Sequence, residues 1–84
     1  MLEEIIALKE IGVTLVTGEP VDEQFYKKEL DYIHRHDSIV YVTYEVNVPN
    51  GVWGVKEMNL AIRRDGAVFC GDMDTIRLLA GGEA

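Results

Sequence analysis

The sequence predicts an α+β domain: an antiparallel three- to four-stranded sheet built on a β-meander over 39–71, two main helices packed on one face, and a short C-terminal helix. Two observations carry the sheet. Asn50-Gly51 and Asp65-Gly66 punctuate three runs rich in Val, Ile, Tyr, Trp and Phe, and each dipeptide has the chemistry of a tight hairpin turn. A third observation carries the helices: apolar residues recur at spacings of three and four over 2–11 and again over 22–34, the repeat of an amphipathic helix.

The first helix sets Leu2, Ile5, Ile6, Leu8 and Ile11 against Glu3, Glu4, Lys9 and Glu10, and Gly12 is its natural stop. The segment 13–17 is short, largely β-branched and framed by Gly12 and Gly18. It reads as a fourth strand beside 39–48. The second helix follows the breaker Gly18-Glu19-Pro20, with Pro20 in its first turn and Asp22 and Glu23 at the positive end of its dipole. It ends around 34–37.

A two-residue turn at Asn50-Gly51 sets Val48 opposite Trp53, Val46 opposite Val55, and Glu45 opposite Lys56 as a charged cross-strand pair. Beyond Val55 the apolar positions change from odd (Trp53, Val55) to even (Met58, Leu60, Ile62). The expected remedy is a one-residue bulge near Lys56-Glu57, aligning Met58, Leu60 and Ile62 with Tyr44, Val42 and Val40. A second two-residue turn at Asp65-Gly66 then brings Phe69 beside Ile62 on the core face. Asp72 or Asp74 caps a last helix over 75–80. The predicted core is Ile5, Ile6, Phe25, Leu30, Ile33, Val40, Val42, Leu60, Ile62 and Phe69.

A chain of 84 residues, 48% hydrophobic and 27% charged, is expected to form a single domain, 1–84. At this size a chain buries only about 60% of the surface exposed when unfolded. The thin core, with 39–44 apolar on both faces and 13–17 as a possible exposed edge, leads us to expect a homodimer.

The formal net charge of −7, from 15 acidic and 8 basic residues, repels a phosphate backbone and disfavours direct nucleic-acid binding. It suits a partner with a basic face, and it also serves solubility. The lone cysteine, Cys70, permits no internal disulfide and fits a reducing, cytoplasmic setting. Within Ala67-Val68-Phe69-Cys70 it reads as a small packed residue rather than a nucleophile. Glu3 and Glu4 after Met1-Leu2 are the reverse of a basic signal-peptide start, and no apolar run has membrane-spanning length.

No motif points to catalysis, a metal or a cofactor. His34 and His36 lie two apart, about 200° round a helix, so they do not converge on one ion while the helix continues. Asp72 and Asp74, with Glu57, offer hard oxygen ligands but lack the alternation and closing glutamate of a calcium loop, and helix capping accounts for both aspartates. Trp53, Tyr41 and Tyr44 on the meander could stack bases, but the surrounding acidic charge argues against that. Trp53 beside the hairpin tip reads equally as a lid on the core or as an interface anchor. The sequence therefore leans away from an enzyme, towards a small acidic protein-interaction or regulatory domain. Its expected binding residues are Trp53, Tyr44, Glu45, Glu57, Asp72 and Asp74. The alternative is a small-molecule-binding protein or enzyme with a pocket between sheet and helix, lined by Tyr26, Tyr32, Tyr44 and Trp53 and oriented by His34 or His36.

Overall fold

A computed structural model describes residues 2–36, 42–49 and 54–80. The elements run α1 (Leu2–Glu10), β1 (Thr14–Leu15), α2 (Glu23–Arg35), β2 (Val42–Asn47), β3 (Glu57–Ile62), β4 (Val68–Gly71) and α3 (Met73–Ala80). The four strands form one antiparallel sheet in the order β1-β2-β3-β4, as the alternating pattern and turn residues predict.

Each helix is bounded by the chemistry its ends supply. After α1, Gly12 N–H donates to Lys9 and Val13 N–H to Leu8, the paired bonds of a Schellman stop, and Gly12 takes φ +82°. Asp22 caps α2 by accepting from Phe25 N–H at 2.9 Å, which leaves Pro20 outside the helix. Asp72 caps α3 by accepting from Thr75 N–H at 2.8 Å, so α3 begins two residues earlier than predicted.

β1 is shorter than the 13–17 segment because the chain turns at once, with Gly18 N–H bonded to Leu15 O at 2.8 Å. The same turn covers the outer edge of β1, through Leu15 N–H to Glu19 O at 2.8 Å and a bridge from Thr14 to Pro20. The edge expected to be exposed is thus occupied by its own chain.

Both hairpin registers differ from the predicted ones. Val42 pairs with Ile62, Tyr44 with Leu60, Glu45 with Asn59, Val46 with Met58 and Asn47 with Glu57, and Val48 N–H bonds Lys56 O at 2.8 Å. The ladder is unbroken, so there is no bulge at Lys56-Glu57 and no Glu45–Lys56 pair. The connection from Val48 to Lys56 is longer than a two-residue turn and absorbs the change of parity. Asn50-Gly51, with Trp53, lies outside the described residues, as do Val40 and Tyr41. The shift of two positions keeps Val42, Tyr44, Met58, Leu60 and Ile62 on their expected face.

The second turn has three loop residues, since Arg63 N–H bonds Ala67 O at 2.9 Å and Gly66 N–H bonds Arg63 O at 2.8 Å. Gly66 takes φ +93°, which is the left-handed residue this loop requires. One extra residue sets Val68, not Phe69, opposite Ile62. Phe69 therefore points to the other side of the sheet, a correction to the predicted core.

The main core lies between the sheet and α1 and α2. It joins Ile5, Leu8, Phe25, Tyr26 and Ile33 to Val46, Leu60, Ile62 and Val68, with Leu30 and Val42 partly buried against it. Ile6 is not in it; at 37% exposed it sits one position, about 100°, round from Ile5 on α1. On the opposite face α3 packs Ile76 and Ala80 over Ala61 and the half-buried Phe69.

The hairpin tip has a pH signature. Arg63 pairs with Asp65 at 2.6 Å and Ala67 N–H donates to the same carboxylate. These bonds, the Arg63 one foremost, lower the Asp65 carboxyl from its ordinary 3.8 to about 2. A depressed folded pKa gives stability that is complete above the ordinary value and is lost as pH falls through about 2. A carboxyl NMR titration should find Asp65 among the last carboxylates to protonate. A midpoint at the ordinary aspartate value would disprove the pairing.

Candidate functional site

The alternation of β2 and β3 decides which candidate residues meet. Tyr44 lies on the helix-covered face, partly buried in the main core, with its ring 5.2 Å from Phe25 at 71°. Its hydroxyl donates to Glu29 Oε1 at 2.6 Å. Burial, and then the Glu29 carboxylate, raise its pKa. Tyr44 is thus tied to α2 rather than offered to a ligand.

Glu45 and Glu57 lie on the opposite face, each across a rung from an asparagine: Glu45 from Asn59, Glu57 from Asn47. α3 covers the β3–β4 side of this face, and both glutamates are exposed. Glu45, Glu57, Met58 and Asn59 border a shallow depression of about 170 Å³. Next to it, where β3 begins and β4 ends, is a cavity of about 520 Å³, lined among the described residues by Val55, Glu57, Met58, Asn59, Cys70, Gly71 and Asp72. Glu57, Met58 and Asn59 belong to both.

Three of the predicted binding residues, Glu45, Glu57 and Asp72, are therefore brought together along one end of the sheet. Asp74 stands nearby, exposed in the first turn of α3. Asp72 is held below the ordinary aspartate value mainly by Thr75 N–H, so it remains ionised while it caps the helix. Among the described residues none of Glu45, Glu57, Asp72 and Asp74 joins an ion pair, whereas Lys9, Lys28, Arg35 and Arg63 are bridged to Glu23, Glu19, Asp31 and Asp65.

Cys70, expected from the sequence to be a small packed residue, is half-buried. Its side chain reaches the main core and also lines the larger cavity. Burial pushes its thiol up to about 11, which keeps it protonated at neutral pH and makes it a poor nucleophile.

The residues of the predicted sheet–helix pocket do not converge. Tyr26 is buried and donates to Gly66 O at 2.7 Å, Tyr32 is exposed and stacks on His36 at 4.0 Å, and His34 Nε2 lies 2.7 Å from Arg64 O. The space between helices and sheet is filled by the main core. Among the described residues no cluster of three or more His, Cys, Asp or Glu has metal-binding geometry, and no helix is long and apolar enough to cross a membrane. No protein-family model, curated protein or solved structure matches this chain.

Proposed function

We propose that this is a non-enzymatic protein-interaction or regulatory domain that presents an acidic sheet end to a basic protein partner. The observation that supports it is the gathering of Glu45, Glu57 and Asp72 around two adjoining concavities, without an ion pair among the described residues. Uncompensated carboxylates beside a concave surface steer a cationic partner and select against an anionic one. They also favour a protein over a nucleic acid, whose phosphates carry the same sign.

The test is capture on the immobilised protein with elution by rising salt, comparing the native chain with the double variant Glu45→Gln/Glu57→Gln. Both positions are exposed strand sites, so the variant should fold. The expected result is a basic protein retained by the native chain, released by salt, and lost or weakened several-fold with the variant. Equal retention by both would overturn the assignment of the face. A small molecule co-purifying in native mass spectrometry, with no protein retained, would overturn the function.

A further inference from the structure

The two edges of the sheet are finished differently. The outer edge of β1 is occupied by the turn through Glu19 and Pro20, whereas β4 forms the other edge and leads straight into α3. In an antiparallel pair, successive residues bond alternately towards the neighbouring strand and away from it. Arg63 N–H bonds Ala67 O, and the register continues through Ala61 with Phe69 and Asn59 with Gly71. The N–H and C=O groups of Val68 and Cys70 therefore point out of the sheet. Among the described residues no hydrogen bond reaches them.

Native edges are commonly blunted by proline, lysine or a bulge. The run Ala67-Val68-Phe69-Cys70-Gly71 has no proline and no charge, and its pairing with β3 is unbroken. Val68, 7% exposed, and the half-buried Cys70 turn their side chains into the main core, so the approach left to them is along the edge. Beside the strand, α3 leaves Leu78 72% and Leu79 53% exposed.

We propose that β4 pairs antiparallel with β4 of a second copy of this chain, about a twofold axis at Phe69, joining two four-stranded sheets into one. In that register each Val68 exchanges N–H and C=O bonds with Cys70 of the second copy, which satisfies every outward group of the strand. Charge selects this orientation. The loop before β4 holds Arg63, Arg64 and Asp65 and keeps a net positive charge although Arg63 is paired to Asp65. Asp72 and Asp74 follow the strand's other end. The twofold sets the acidic end of each copy beside the arginine loop of the other, whereas parallel pairing stacks like on like.

Because the β1 edge is taken, edge pairing uses the same strand in both copies and closes at two. Glu45 on β2 and Glu57 on β3 lie within the sheet, away from this seam, so the proposal is independent of the acidic-face reading. The seam is short, four residues a side, and the dimer should dissociate on dilution.

The test follows mass by sedimentation from low micromolar to millimolar protein, with amide hydrogen exchange at both ends of the range. The expected mass rises from one chain to two and stops there. Exchange at Val68 and Cys70 slows several-fold over the same range, while Leu15, already bonded to Glu19 O, is unchanged. Arg64→Glu should weaken association several-fold, and adding Asp74→Lys should restore it. A single-chain mass at every concentration would overturn the proposal. So would a dimer whose Val68 and Cys70 amides exchange at the monomer's rate, because that dimer uses another surface. Growth past two chains rules out the closed pair, and association unmoved by Arg64→Glu rules out the antiparallel orientation. The exchange comparison is made on the native chain, so it decides the matter even where a variant folds poorly.

Discussion

Leu60→Ala is expected to remove about 2–5 kcal/mol of folding stability, a large part of the roughly 5–15 kcal/mol a small domain has in total. Leu60 is fully buried. It sits on β3 with Tyr44 across one rung and Cys70 across the other, and it faces the helices. Truncation leaves a void bounded by strands on two sides, which cannot close without breaking the ladder. Urea melts should show the midpoint fall steeply. A loss below about 0.5 kcal/mol, the range of surface changes, would exclude Leu60 from the core.

Phe25→Ala should cost about 3–5 kcal/mol, the range for truncating a buried aromatic. Phe25 is 2% exposed and lies in the first turn of α2, where it is the ring that meets Tyr44 edge-on. Removing it takes away α2's packing on β2 and an edge-to-face aromatic contact. The comparison is Tyr44→Phe, which keeps the ring and deletes only the hydroxyl bonded to Glu29. That change should cost about 1 kcal/mol, because the Glu29 side chain is partly exposed and water can replace the lost donor. Equal losses for the two variants in the same melts would show that hydrogen bonding, not packing, fastens the helix.

The sequence made the fold legible where local chemistry and long-range packing agree. Gly12 stops α1, Asp22 starts α2 and Asp72 starts α3, because capping depends on residues a few positions apart. Strand faces were legible for the same reason: alternation is local. Register was not. Asp65-Gly66 has the chemistry of both a two-residue and a three-residue loop, and the choice between them moved Phe69 from one face of the sheet to the other. Of the candidate residues the sequence offered, Glu45, Glu57 and Asp72 border the two adjoining concavities. The convergence of these residues, the cavity beside them and the place of Cys70 in its wall follow from the β2–β3 and β3–β4 pairings, which no local pattern encodes.

The sheet's order has a bearing on how the chain finds its shape. β2, β3 and β4 are joined through hairpins, so their pairing closes short loops at small entropic cost. β1 meets β2 only after the whole of α2 has intervened, with Thr14 set against Asn47. The loss of chain freedom is thus concentrated in a single long closure, and that closure is the one that brings α1, β1 and α2 onto the meander. Contacts so distant along the chain set the pace of folding more than they set final stability. The buried faces of Leu60 and Ile62 thus act as the landing surface on which the N-terminal half must settle.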